Sequence, residues 1–523
     1  MMTAKRPNFL YFITDQQRAD WLGCAGHPVV KTPNIDRIAE NGTSFEDFHV
    51  ALPVCMPNRA SLITGRYPSV HGLRYNGCAL TERANTFVEV LAASGYATAA
   101  IGKSHLQTFT DARPLGRKPF EAGPIAEAWK PEQRSYDEEA PGSYEKTEPY
   151  KIKAPYYGYQ HVEMVTGHGD KCGGHYGQWF RRTHPDWRDL HDPANELPHD
   201  YTCPQAYRTP VPEESYPTAW IGDRAAEWLR DRAGDDTPFF AFVSFPDPHH
   251  PFNPPGKYWS MYDPDDFDVS LPYSAHKNPN PILEHIRKMW ENGETAPLLQ
   301  TAFYADDRQI REAMALTAGM ITMIDDQIGK VMQALEESGH ADDTVVIFNS
   351  DHGDYMGDFN LLLKGMLQMR GLTRVPFIWS DPTNTDAIAK SGSLASTVDV
   401  AATILERAGI RPYWGMQGKS LIPAMAEGDE IRDALLIEHH DSGARYNLEE
   451  PARIRTLITK RWRLTIFMNF EWGELYDLVA DPNETNNLWS DPRYESVRGR
   501  LSERLVREMI AVMEESPRAQ RIA

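Results

Sequence analysis

The sequence lacks most of the features that mark secreted, membrane-spanning or nucleic-acid-binding chains. Its first apolar run, Phe9 to Ile13, is 5 residues long and stops short of Asp15. A signal peptide needs roughly 7–15 apolar residues and a membrane span about 20. Cysteine is scarce, with 5 in 523 residues at positions 24, 55, 78, 172 and 203. That odd number forms no disulfide framework, and a reduced, cytoplasmic protein is expected. Basic charge is also short: 54 Lys and Arg face 74 Asp and Glu, a formal net charge of -20. Such a balance argues against a charge-driven hold on nucleic acid or an anionic membrane, so an anionic substrate needs positive charge concentrated inside its site. No internal repeat and no low-complexity segment is present. What remains is an ordinary globular composition, 41% hydrophobic and 11% aromatic, long enough for one large domain and a smaller one.

The patterning reads as α/β. "NFLYFIT", Asn8 to Thr14, is an apolar run that empties into Asp15-Gln16, as a buried parallel strand does at its end. "TPNIDRIAENG" predicts a helix with Thr32 as N-cap, proline at its first position and a stop at Asn41-Gly42. Phe45 to Val50 suits a short strand, and "ASLITG" the opening turns of a helix starting near Cys55. "NTFVEVLAASGYATAAIGK" repeats helix then strand, with Gly95 as the stop. The same alternation returns with "PTAWIGDRAAEWLRDR", "PFFAFVSF", a long helix over Ala313 to Glu337, "TVVIFNS", "RVPFIW" and "STVDVAATILERAG". Residues 106–235 are expected to form a largely irregular insertion over the site. The expected division is a catalytic domain, 1–428, and a C-terminal α+β subdomain, 429–523, with an antiparallel sheet and a terminal helix.

Two strands more than three hundred residues apart each end in an acid followed by a second potential ligand, Asp15-Gln16 and Asp351-His352. Ligand sites of open α/β sheets lie beyond the carboxyl ends of the strands. Two carboxylates, an amide oxygen and an imidazole meeting there favour a hard divalent cation over structural zinc. Other strand ends carry nitrogen groups: Lys103 and His105 in "GKSH", His249 and His250 in "PDPHHPF", and Lys364 thirteen residues after Asp351. With Arg59 and Arg66 beside Cys55, they gather cationic charge suited to a tetrahedral oxyanion ester.

"CMPNRASLITGR", from Cys55 to Arg66, resembles the sulfatase signature C-x-P-x-R with its T-G pair. In order along the chain, Asp15-Gln16, Asn76, "GKSH", "PHHP", "SDHGD", Lys364 and "ELYDLVADPNETNNL" agree with it. The chain is therefore similar to the type I sulfatases and phosphonate monoester hydrolases of the alkaline phosphatase superfamily. The resemblance implies an alkaline-phosphatase-like fold, with a mostly parallel sheet flanked by helices. It implies that Cys55 is oxidised to formylglycine by a formylglycine-generating enzyme. One divalent ion, Ca²⁺ by default and Mn²⁺ as the alternative suggested by His352, is then held by Asp15, Gln16, Asp351, His352 and an oxygen of modified Cys55.

The resemblance further implies that the hydrated aldehyde attacks a sulfate monoester to give a covalent sulfo-enzyme. His249 or Lys364 assists the leaving alcohol, and His105 takes the proton whose loss releases sulfate. Arg59 holds the diol, Lys103 and Lys364 neutralise the anionic oxygens, and Asn76 and His250 contact substrate. Asp15-Gln16 and Asp351-His352 look more like choline sulfatases and phosphonate hydrolases, whereas Lys103 and His105 match sulfatases. Sulfate monoesters are the expected substrates, with phosphonate monoesters and phosphodiesters the alternative.

"HGDKCGGHYGQW" offers His168, Cys172 and His175 but no second ligand pair at zinc spacing, so it reads as a glycine-rich loop. "EHHD", 438–441, reads as a strand end, with one of its histidines at the pocket border as the alternative. The apolar stripe of the last helix, from Tyr494 to Val512, reads as packed on the small sheet, with a homo-oligomer contact as the alternative.

Overall fold

The computed structural model describes all residues except 1–5, 113–122, 126, 131, 133, 134, 147, 295–299, 385, 386, 469 and 523. Eight strands form the main sheet: β1 (Asn8–Thr14), β2 (Thr43–Phe45), β3 (Ala97–Gly102), β4 (His161–Thr166), β5 (Phe239–Ser244), β6 (Thr344–Ser350), β7 (Phe377–Ser380) and β8 (Lys390–Ser391). Their order is β8-β2-β7-β6-β1-β5-β3-β4. The run β6-β1-β5-β3-β4 is wholly parallel, and β7 pairs antiparallel to β6 and β2. β1, β5 and β6 are buried along their whole length, which explains why they read as continuous apolar runs without alternation.

Helices cover both faces: α1 (Pro33–Glu40), α2 (Cys55–Thr64), α3 (Phe87–Ala93), α4 (Gly174–Thr183), α5 (Pro217–Arg230), α6 (Asp307–Glu337) and α7 (Asp399–Arg407). One core lies against α2, α3 and α7, and the other against α1, α5 and α6. No helix among the described residues is long and apolar enough to cross a membrane. Thr32 precedes α1 as predicted but does not cap it with its side chain. The carboxylate of Asp325, from α6, accepts the Asn34 and Ile35 amides instead.

The C-terminal part builds the antiparallel sheet β9 (Leu435–His440), β10 (Arg453–Ile458), β11 (Trp462–Phe467) and β12 (Gly473–Asp477) in sequence order. The helix α8 (Glu495–Ala511) lies on it through buried Leu505 and half-buried Leu501. Of the predicted stripe, Tyr494 and Val512 also pack there while Met509 is exposed; Val506, Ile510 and Met513, outside the stripe, face away from the sheet and are exposed too.

Two expectations need correction. Phe45 to Val50 is not one strand: β2 ends at Phe45, and Phe48–His49 pairs separately with Ala395–Ser396. The stretch 106–235 is less irregular than expected, since it contributes β4 and α4 besides the predicted helix α5; its positions 113–122, 126, 131, 133, 134 and 147 lie outside the described residues. β4 escapes pattern reading because it is an edge strand whose first three residues are only half-buried.

Candidate functional site

Five adjacent parallel strands end side by side, with Thr14 level with Ser350, Ile13 with Ser244, and Gly102 with both Ser244 and Met164. Each hands its next residues to one buried centre. β1 delivers Asp15 and Gln16, β6 Asp351 and His352, β5 His249 and His250, β3 Lys103 and His105, and β4 His168. The close approach depends on Gly102: at φ +109° a Cβ would lie 1.9 Å from the Ser244 carbonyl oxygen.

Cys55 enters from the other side, as the first residue of α2, all ten residues of which are buried. Pro57 fits there because the first-turn amides have no intrahelical partner. The free Met56 amide donates to Asn76 Oδ1 (3.2 Å). Asn58 ties the helix to β6, accepting from the Ala51 amide (3.0 Å) and donating to the Asp351 carbonyl (2.6 Å).

Asp15, Cys55, Asp351 and His352 bring ligand atoms within 4.8 Å of one another. Cys55 Sγ lies 3.1 Å from His352 Nε2 and 3.6 Å from Asp15 Oδ1. His352 Nδ1 donates to the Gly353 carbonyl (2.9 Å), which leaves the Nε2 lone pair facing the cluster, as a ligand requires. Gln16, at φ +66°, donates its amide nitrogen to Asp354 and its backbone N–H to Asp351 Oδ1 (3.1 Å); its Oε1 accepts from Lys364 (3.0 Å). Two carboxylates, an imidazole and an amide oxygen thus converge, a donor set that fits one hard divalent cation.

Positive charge surrounds these acids. Lys103 pairs with Asp15 and donates to His168 Nε2 (2.7 Å), and Lys364 donates to His249 Nε2 (2.8 Å) and to Cys55 Sγ (3.3 Å). Burial raises the Asp15 carboxyl, but Lys103, Lys364 and Arg59 outweigh it and hold the group well below the usual carboxylate range. Burial first, with nearby cations adding, keeps His105, His168, His249 and His250 well below the ordinary imidazole range, hence neutral. The Cys55 thiol is pushed up to about 11, by burial and then by Asp15.

Arg59 is fully buried among the acids. Its guanidinium bonds Asp351 Oδ2 (2.7 Å), the Lys103 carbonyl (2.8 Å) and Ser244 Oγ (2.8 Å), and Nη2 faces Asp15 at 3.6 Å. It braces the two acids that flank residue 55. Arg66 leaves the centre altogether and pairs with Glu514. His105, at φ +59°, stacks on Phe109 (4.2 Å between centroids), with its buried Nδ1 unpaired. His250 stacks on His249 (4.0 Å) and accepts from Gln16 at 3.4 Å.

The sequence offered His168 only as a zinc candidate set aside in favour of a glycine-rich loop, whereas its ring stacks on His249 at 3.6 Å. "HVEMVT" read as a strand would have flagged it by the carboxyl-end rule that found the other ligands. Cys172 packs in the core, and His175 bonds the Met164 amide and the Tyr150 carbonyl, so neither joins His168. Asp354, pushed up to about 6 by burial, orients Gln16 and was likewise unassigned.

A buried acid, amide and imidazole cluster facing a helix-borne cysteine at the carboxyl edge of a parallel sheet is the frame of a metal-assisted ester hydrolase. The sulfatase family profile matches residues 7–410, and the chain belongs to that family. A second profile, the C-terminal part of N-sulphoglucosamine sulphohydrolase, matches residues 357–511. An arylsulfatase of Clostridium perfringens is 28% identical over 510 residues, covering 96% of this chain and 94% of that one. A multifunctional alkaline phosphatase superfamily protein of Trinickia caryophylli is 28% identical, with 94% and 92% covered. Among solved structures, the phosphonate monoester hydrolase of Agrobacterium radiobacter is similar at 25% identity and a TM-score of 0.76, covering 99% of this chain and 98% of that one.

Proposed function

We propose that the protein hydrolyses sulfate monoesters at residue 55, after a formylglycine-generating enzyme has converted Cys55. The observation that carries this reading is the chemistry of the encoded thiol. It sits at the focus of the cluster, 3.1 Å from His352 and 3.3 Å from Lys364, yet its environment keeps it protonated up to about 11. A protonated, buried thiol is a poor nucleophile.

Asp15, Gln16, Asp351 and His352 would hold one divalent cation, Ca²⁺ or Mn²⁺, which supplies positive charge at the ester oxygens. Formylglycine supplies, as its hydrate, one hydroxyl for covalent attack and a second whose deprotonation frees the product.

The chain's own residues do the rest. Lys103 and Lys364 offset the charge of the sulfuryl oxygens in a centre closed to bulk water. His249 Nδ1 donates to the His250 carbonyl (2.6 Å), so its Nε2 is the acceptor facing Lys364. The proton for the leaving alcohol therefore starts on Lys364, with His249 orienting that ammonium. Neutral His105, its Nδ1 free, is suited to receive the proton from the second hydroxyl.

Mass spectrometry of the 54–66 peptide, from a host that makes the converting enzyme, should show aldehyde or hydrate in place of part of the thiol mass. Protein holding only thiol and turning over no aryl sulfate would sink the reading. The second reading uses the same groups on phosphonate monoesters or phosphodiesters and is supported by the Agrobacterium radiobacter likeness. Ratios of kcat/KM on matched sulfate and phosphonate esters decide between them.

A further inference from the structure

His168 sits in the centre without a part in the chemistry assigned to the other groups, and the turn that carries it is tightly fixed. Gly167 and Gly169 flank it at φ +80° and +61°, and a Cβ on Gly169 would lie 2.8 Å from Pro251 Cγ. The turn therefore packs directly on the loop that carries His249 and His250. Asp170 fastens it there, because its carboxylate accepts from Asn253 Nδ2 (2.9 Å) and from the Thr209 hydroxyl (2.7 Å). The His168 and His249 rings are stacked as a result, with centroids 3.6 Å and planes 10° apart. Phe109 meets the His168 ring edge to face at 5.7 Å. A ring held by two aromatic neighbours has little freedom to turn.

The bonding around Lys103 gives that fixed ring a task. An ammonium has three N–H donors and no acceptor, so His168 Nε2, 2.7 Å from Lys103 Nζ, is the accepting nitrogen. A second donor goes to Asp15 Oδ2. The two acceptors lie 3.9 Å apart, a spacing that two N–H bonds of one tetrahedral ammonium can span. Among the described residues, no third acceptor lies within hydrogen-bond distance of Nζ, so one N–H of a fully buried lysine is left over. A buried donor is ordinarily satisfied. Asp15 alone would hold the charge but not its direction, because an ammonium turns about the single bond to its flexible stem. Two acceptors on fixed elements set where the third N–H points.

We propose that His168 is a positioning residue that clamps the Lys103 ammonium against Asp15, leaving the third N–H to meet an oxygen of the substrate's anionic group. It rests on the sulfatase reading only in naming that group a sulfuryl. The test uses the full chain in two arms. In the first, the parent protein, His168→Ala, Lys103→Ala and the double variant close a cycle on 4-nitrophenyl sulfate. The value of kcat/KM should fall at least about tenfold in His168→Ala and about a hundredfold or more in Lys103→Ala. Because His168 acts through Lys103, the double variant should match Lys103→Ala within about twofold; losses that multiply overturn the proposal. His168→Gln offers an amide oxygen to the same ammonium and should recover much of the His168→Ala loss. His168→Phe keeps a ring against His249 but has no acceptor, so it should be as poor as His168→Ala. A fully active His168→Phe overturns the proposal, since packing alone would then suffice. In the second arm, crystal structures of the parent protein and His168→Phe show where the ammonium goes without any turnover. Nζ should bridge Asp15 and His168 in the parent protein and leave Asp15 in the variant; an unmoved Nζ overturns the clamp. Parent protein that turns over no sulfate ester defeats the sulfatase reading, while the crystallographic arm still decides the role of His168.

Discussion

The Cys55 thiol occupies the positive end of α2, a position that ordinarily lowers a thiol pKa, yet burial and Asp15 push it up to about 11. Unconverted protein should therefore resist alkylation at Cys55 from pH 7 to 9, read by mass spectrometry of the 54–66 peptide; labelling that rises steeply across that range contradicts the assignment. Cys55→Ala should abolish turnover while leaving the melting temperature nearly unchanged, because only a sulfur atom is removed from a packed site. Cys55→Ser should also be crippled, having one hydroxyl and no route for elimination.

Lys364 makes a separate prediction. If it provides the leaving-group proton, Lys364→Ala should cost more on alkyl sulfates than on 4-nitrophenyl sulfate, whose alcohol departs without help. General acid catalysis contributes about 10²–10⁴-fold, so the difference between the two substrates should reach at least ~10²-fold. Equal losses on both would assign Lys364 to charge neutralisation alone.

At the scale of elements, strands buried on both faces announce themselves, and half-exposed ones do not. "NFLYFIT" and "TVVIFNS" were legible because β1 and β6 lie in the middle of a parallel sheet, and their terminal acids followed from that placement. β4, at the edge, mixes half-buried His161, Val162 and Glu163 with buried Met164, Val165 and Thr166, and His168 disappeared with it. The role of Arg59 was illegible for another reason: sequence order shows that an arginine follows Cys55 by four residues, but not that α2 aims it at Asp351.

β4 is also fastened by charge, because Glu163 takes a two-pronged bond from Arg224 of α5 (2.6 and 2.7 Å). Glu163 is held down at about 2, against an ordinary 4.5, despite burial, by His161 and Arg224. A depressed carboxyl contributes stability that is complete above the unfolded value and is lost as pH falls toward the folded one. Melting temperature in Glu163→Gln should thus converge on that of the parent protein between about pH 4.5 and 2. At neutral pH the gap should be about 1–2 kcal/mol, given water on the Arg224 side. A gap independent of pH would mean that packing, not charge, fastens the strand.

For the whole molecule, the centre joins parts of the chain that share no local structure, since its groups come from five strand ends, one helix and the separate segment that carries Lys364. Without a cation, the carboxylates of Asp15 and Asp351 are balanced, among the described residues, by Lys103, Lys364 and Arg59, all of them buried. Burying charged groups is costly, and a divalent ion bound only by the folded chain shifts the unfolding equilibrium by mass action. At a thousandfold excess over its dissociation constant, such an ion adds about 4 kcal/mol. Chelation should therefore lower the melting temperature by several degrees, and re-added Ca²⁺ or Mn²⁺ should restore it in a concentration-dependent way. The double variant Asp15→Asn with Asp351→Asn should melt at the same temperature with and without chelator, which separates a site-specific effect from a general one. A chelator response that survives in that variant would place the stabilising ion elsewhere, and no response in the parent protein would remove the cation from the account of this centre.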